Sequence, residues 1–360
     1  MNYKKSIGAL MLIGVISHPV FAQESSNDAE ISGDFRLGFI DAEDDAGESA
    51  KGSAIGGRLG YTSPQWNGLR AGATFYTTQE ISDDENGDFF SSEGESYSIL
   101  GEAYVQAEFY KTTINVGRFE LDTPHADADD IRMIPNSFQG VQVSNTNIPN
   151  TTVYATHLDK WAGVDTDTPE DFTEVSGDDG VNAAGVVFEG VENIELQVWH
   201  YEAKDTAKLS YLEATHETER FSIGAQYGDQ SDETDDGTGP DGNVIGAAAT
   251  LSSSGFTLSA AYNKVSGTVI NGFGGGPFFT SVDDHTIDGV EDQKATAVGL
   301  EYAGIEGLSL AVLTVDFDKG EDETDYVASW DIKEDLNAEF IYTDMNADGS
   351  IARLMVNYLF

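Results

Sequence analysis

Apolar and polar residues alternate at every second position over stretches of about ten residues, and this pattern constrains the chain most. In Tyr97–Phe109, the residues Tyr97, Ile99, Ala103, Val105, Ala107 and Phe109 oppose Ser98, Glu102, Tyr104, Gln106 and Glu108. Ile31–Ile40 repeats the pattern, with Ile31, Phe35, Leu37 and Phe39 opposing Ser32, Asp34 and Arg36. In Ala352–Phe360 the residues Ala352, Leu354, Val356, Tyr358 and Phe360 form one apolar face. A period of two belongs to strands with one apolar and one polar surround. Eighteen such segments fit between Ile31 and Phe360, and looseness at the boundaries leaves sixteen open. The pattern predicts an all-β, antiparallel chain.

Length separates the membrane reading from the soluble one. Strands of soluble sandwiches and propellers typically run 5–6 residues, whereas about ten residues cross hydrocarbon at a tilt. The connections after odd-numbered segments read as mostly long and acidic, those after even-numbered ones as mostly short. That asymmetry of rims belongs to bacterial outer-membrane barrels. Aromatics near segment ends (Tyr61, Phe109, Tyr227, Tyr262, Tyr302, Trp330, Tyr342) suit interfacial girdles. A sheet in lipid must close, because open edges leave backbone groups unpaired. The expectation is one transmembrane β-barrel over residues 23–360, with the lipid bilayer as its surround. No run of 18 apolar residues follows the N-terminus, so helical spans are excluded.

Residues 1–22 read as a signal peptide. Lys4 and Lys5 precede an apolar stretch from Ile7 to Ile16, and Val20-Phe21-Ala22 is a small-residue cleavage signal. The expected destination is the outer membrane of a Gram-negative bacterium. The terminal Phe360, at the end of an alternating strand, resembles the C-terminal signature that outer-membrane proteins present to the barrel-assembly machinery. Monomer and homotrimer both stay open.

Net charge is −46, with only 18 lysines and arginines, which argues against nucleic acid and anionic surfaces as partners and favours cations. There is no cysteine, so disulfides and thiol chemistry are excluded. Five histidines follow the signal segment (His125, His157, His200, His216, His285), and neither a nucleophile elbow nor HExxH is present. An outer-membrane lipase or protease barrel is therefore the weaker alternative, alongside a structural or adhesin barrel. No cofactor is expected. The acidic outer loops 83–88, 232–241 and 321–325 supply oxygen ligands without EF-hand spacing, so diffuse Ca²⁺ or Mg²⁺ binding is the reading.

The alternation breaks between Gly117 and Gly140, GRFELDTPHADADDIRMIPNSFQG. A loop this long between good strands is usually functional or disordered, and Leu121, Ile131, Met133, Ile134 and Phe138 give it apolar anchors. It is expected to fold into the barrel and narrow it. Asp122, His125, Asp127, Asp129, Asp130 and Arg132 are the candidate constriction residues, His125 being the weakest of them. On the wall, Arg36, Arg58, Arg70, Arg220 and Arg353 are assigned to the lumen, because charge against lipid costs about 2–4 kcal/mol. Glu102 and Glu108 join them, and Arg118, of unclear parity, is included. Two roles stay open for the arginines: a transverse field across the bore from the loop aspartates, or pairing with wall carboxylates that only holds the barrel together.

Gly117-Arg118-Phe119-Glu120-Leu121-Asp122-Thr123-Pro124, with Asp130-Ile131-Arg132-Met133-Ile134-Pro135-Asn136-Ser137-Phe138-Gln139-Gly140, resembles the loop-3 segment of the OprD-type (Opr family) porins and the related major outer-membrane protein porins. The resemblance implies an eighteen-stranded barrel, a pore constricted by the third long loop, and diffusion of small hydrophilic solutes, often amino acids or carboxylates. Substrate-specific members carry a ladder of basic residues on the lumen wall. The scarcity of lysine and arginine here departs from that pattern and points to cations.

Overall fold

The structure, a computed structural model, describes residues 28–82 and 89–360. The signal segment 1–22 and the acidic run 83–88 lie outside the described residues.

Eighteen barrel strands follow in chain order. They are β1 (Glu30–Glu43), β2 (Ser49–Thr62), β3 (Leu69–Glu80), β4 (Tyr97–Phe109), β5 (Thr112–Phe119) and β6 (Ser137–Asn145). Next come β7 (Thr151–Ala162), β8 (Val181–Val191), β9 (Ile194–Ala203), β10 (Ala207–Glu217), β11 (Phe221–Asp232) and β12 (Gly242–Ser253). The last are β13 (Phe256–Gly267), β14 (Lys294–Ile305), β15 (Leu308–Phe317), β16 (Glu323–Lys333), β17 (Leu336–Asp344) and β18 (Ser350–Leu359). Each pairs antiparallel with its sequence neighbours, and β1 pairs with both β2 and β18, so the sheet closes. At the seam, Gly33 and Phe360 exchange two main-chain hydrogen bonds of 3.1 Å. The Phe360 ring lies beside Phe35, centroids 5.3 Å apart. Closure satisfies the edge groups that hydrocarbon could not.

The two faces are set by parity. On β1, Phe35 is 60% exposed on the outside while Asp34 and Arg36 are 1% exposed on the inside. Outward-facing Leu59, Phe75, Val105, Val198, Ile245 and Leu300 continue the apolar band. No helix among the described residues is long and apolar enough to cross a membrane.

Expected parity fails within β4. Thr74 faces Glu102 and Phe75 faces Leu100, so Gly101 is a bulge residue with no partner of its own. The extra residue flips the faces. Ile99 is therefore buried inside, while Leu100 takes the outward position expected for Ile99. Gly101 has a second role: a Cβ there would stand 2.1 Å from the Tyr76 ring, which lies flat across it. Tyr104 covers Gly72 and Trp199 covers Gly185 in the same way, keeping large rings against the wall.

One rim carries only short turns. At the other, the expected acidic loop after β1 shrinks to residues 44–48, because β1 and β2 stay paired as far as Glu43 and Ser49. The long connections are L2 (81–96), L3 (120–136), L4 (163–180), the 233–241 segment and L7 (268–293). Glu323 and Asp325, placed by sequence in an outer acidic loop, instead lie on β16 and point inward, nearly fully buried.

Candidate functional site

L3 begins where the β5 alternation ends. Around Pro124 the chain folds back on itself, pairing Asp122 with Asp127 and Thr123 with Ala126. The Thr123 hydroxyl donates to the Ala126 carbonyl at 2.7 Å. Leu121, Ala126, Met133, Ile134 and Phe138 are buried against inward-facing wall residues, among them Tyr201, Leu209, Ile40 and Tyr76. The apolar anchors thus seat the segment inside the barrel, against its inner wall.

Its charged residues meet the wall at two clamps. In the first, the Arg36 guanidinium binds both Asp130 oxygens, at 2.5 and 2.7 Å, and donates to the Arg132 carbonyl at 2.7 Å. Arg58 reaches Asp130 at 3.2 Å, Glu120 at 3.3 Å and Asp34 at 2.6 Å. Asp34 also accepts from Arg36 at 3.2 Å, and the Tyr76 hydroxyl donates to Glu120 at 2.5 Å. Two buried guanidiniums are therefore answered by three carboxylates, as buried charge requires.

The second clamp uses L7. Phe278, Phe279 and Ile287 bury L7 against Val244, Ala261, Ala297 and Val315 on the inner wall. Arg353 on β18 donates to Asp284 at 2.8 Å and also bonds Asp283. Arg132 of L3 stands 3.6 Å from Asp283 and 3.5 Å from Asp284. The two loops are also joined by backbone. Phe273 N–H donates to the His125 carbonyl at 2.9 Å, and Asp127 N–H donates to the Phe273 carbonyl at 3.1 Å. Gly272, at φ +112°, permits this approach, since a Cβ there would lie 2.6 Å from the His125 carbonyl oxygen. The readable signal was the run Gly272–Phe279, where glycine allows backbone contact and phenylalanine anchors.

Asp127 and Asp129 meet a third loop. Asp127 accepts main-chain N–H groups from Asp129 at 2.9 Å and Gly275 at 3.4 Å, while Asn136 donates to Asp165 of L4 at 2.5 Å. Burial, reinforced by the Asp165 charge, pushes the Asp127 carboxyl up to about 7. Burial, with Asp165 and Asp127, holds Asp129 well above the carboxylate range. Asp122 is exposed on L3.

The other candidates separate from this centre. His125 is buried with its Nδ1–H donating to the Asn271 carbonyl at 2.5 Å, between the rings of Tyr201 and Tyr211. Burial pulls its pKa down to about 4, so the ring is a neutral packing element of the L3–L7 seam. Arg70 bonds Gln106 and stands 3.7 Å from Glu108, nearer the short-turn rim. Glu102 accepts from the Thr74 hydroxyl on the inner wall. Arg118 does not face the lumen. It shares parity with outward-facing Val116, and its guanidinium lies 4.0 Å from the centroid of the Phe172 ring. Arg220 is not on a strand at all, because β11 starts at Phe221, and it is exposed in the preceding turn.

The family model described as outer membrane porin, OprD family, matches residues 76–284. The chain belongs to the OprD family of outer membrane porins. A search of curated proteins returns no match. Among solved structures, this OprD-family chain is similar to the outer membrane protein opdK of Pseudomonas aeruginosa, at 18% identity and TM-score 0.81, covering 92% of this chain and 98% of that one. OccAB3 of Acinetobacter baumannii is similar at 15% identity and TM-score 0.80, covering 92% and 99%. OccK2 (OpdF) of Pseudomonas aeruginosa, solved in complex with glucuronate, is similar at 18% identity and TM-score 0.78, covering 92% and 98%. The family and these neighbours are porins rather than enzymes, and the family places this porin in the outer membrane of Gram-negative bacteria.

Proposed function

We propose that this porin is a passive pore for small hydrophilic solutes and ions, cation-preferring, in which residues 117–140 narrow the bore. The observation that carries the reading is the state of the arginines. Arg36, Arg58, Arg132 and Arg353, the basic groups nearest the inward loops, each pair with carboxylates of the protein itself. They have no uncompensated charge to offer an anionic solute. Asp127, by contrast, takes main-chain donors instead of a guanidinium and, once ionised, keeps its charge for the bore. A constriction of this balance lowers the electrostatic barrier for cations and raises it for anions. The glucuronate found in OccK2 is therefore not transferred to this chain as a substrate.

Strand β18 together with the following Phe360 is the segment we assign to the barrel-assembly machinery. The acidic outer loops are assigned diffuse Ca²⁺ or Mg²⁺ binding, which relieves repulsion at the rim.

Purified protein in a planar bilayer tests the function directly. Ohmic steps with a reversal potential toward the cation equilibrium value in a salt gradient are expected. Closed bilayers, or an anion-directed reversal potential, would overturn the pore or its selectivity respectively.

A further inference from the structure

We propose that His285 is a proton-operated latch on L7: as an imidazolium it ties the loop to β16 of the barrel wall, and on losing its proton it loosens the loop around residue 285 and alters the bore. The idea rests on the pore reading for its functional consequence, though its structural test does not.

Both ring nitrogens face carboxylates on different elements. Nδ1 lies 2.6 Å from the Glu323 carboxylate of β16, and Nε2 lies 3.8 Å from Asp348 in the 345–349 loop. The Nε2–Asp348 separation is a charge contact rather than a hydrogen bond, so only the doubly protonated ring bonds Glu323 and also attracts Asp348. The Glu323 side chain is 0% exposed, and its second oxygen accepts the Asp284 N–H at 3.1 Å. A carboxylate so placed needs a nearby cation. The neighbouring cations are engaged elsewhere, Arg353 and Arg132 with Asp283 and Asp284. Asp325 shares β16 with Glu323, accepts from Thr343 and is hydrogen-bonded with Glu323, so it is the other titratable group beside the latch on this wall. The remaining face of the ring packs against Phe317 of β15, centroids 6.3 Å apart.

The latch therefore sits at the far end of L7 from the Phe273 contact with L3. The hydrogen bond to Glu323 holds the His285 pKa above its ordinary value. A raised histidine pKa makes the contribution complete below about pH 6.5 and removes it as pH climbs through the folded-state value. Deprotonation leaves Glu323 buried opposite a neutral ring, and the 280–290 segment keeps the Asp283 and Asp284 clamp to Arg353 but loses its charged tie to β16.

The chain has no cysteine, so a nitroxide on Ser281→Cys reports this segment alone. In reconstituted full-length protein the label is expected to be immobilised at about pH 6 and to gain a mobile component by about pH 9, on either side of the histidine range. Single-channel conductance is expected to change over the same interval. His285→Arg, permanently charged, should stay immobilised at both values, and His285→Asn should be mobile at both. A lineshape identical at the two pH values in the unmodified background overturns the latch, as does a His285→Asn variant that still responds to pH. Absence of channels at every pH instead overturns the pore reading, and the spin label still decides the latch. If a His285 variant does not fold, the pH response of the label in the otherwise unaltered chain decides the matter.

Discussion

Arg36 grips Asp130 through both guanidinium nitrogens, at 2.5 and 2.7 Å, across 94 residues of sequence. This bidentate pair binds the inward loop to the first strand, and only 1% of the arginine side chain is exposed. Parallel bonds from a planar fork fix orientation as well as distance. Asp130 is therefore a fastening point for L3, with its charge committed to the wall.

Replacing Asp130 by alanine should cost about 3 kcal/mol, the lower end for breaking a buried ion pair, because Asp34 and Glu120 still answer the guanidiniums. Urea unfolding in lipid vesicles measures that loss. In the bilayer, the same variant should move the reversal potential toward anions, since Arg36 and Arg58 then face the lumen less fully compensated.

Arg353→Met should act in the opposite direction. It leaves Asp283 and Asp284 with only the longer contacts to Arg132, so cation preference should rise and L7 should loosen. A reversal potential unchanged from the parent would place both aspartates outside the ion path.

Cation preference should also depend on pH. Burial and Asp165 push Asp127 up to about 7, so its charge appears only as pH rises through that value. Folding raises the proton affinity of this carboxyl, which makes its linkage contribution favourable at low pH and lost as pH climbs toward 7. Reversal potentials measured from about pH 5 to about pH 8 should show cation preference growing with pH. Asp127→Asn should flatten that part of the curve.

Gly101→Ala tests the bulge. The new methyl would meet the Tyr76 ring and displace the hydroxyl from Glu120. Overpacking of this kind costs about 1–3 kcal/mol, readable as a lower urea midpoint. An unchanged midpoint would show that the ring can swing away freely.

Much of this architecture is legible in the order of the residues. The alternation in Tyr97–Phe109 and in the C-terminal strand specified a lipid-crossing sheet, and the interruption at Gly117–Gly140 marked the inward loop with its anchors. Individual side chains were less legible. Arg118 was misplaced because a strand that ends within two residues carries too little pattern to establish parity. Arg220 was misplaced because the strand boundary falls one residue later. Ile99 changed faces because a one-residue bulge is invisible to a rule that counts by twos.

By itself, the sequence determined that lipid would surround one face of a closed β-sheet, that the outer membrane would hold it, and that negative charge would dominate. Those properties are periodic or additive, so they survive without knowledge of what touches what. Only the tertiary structure decided that L7 joins L3 inside the barrel, that four arginines are consumed by internal carboxylates, and that His285 faces Glu323. Each of these depends on bringing together groups separated by many residues, and pairing at such range leaves no local trace in the order of the amino acids.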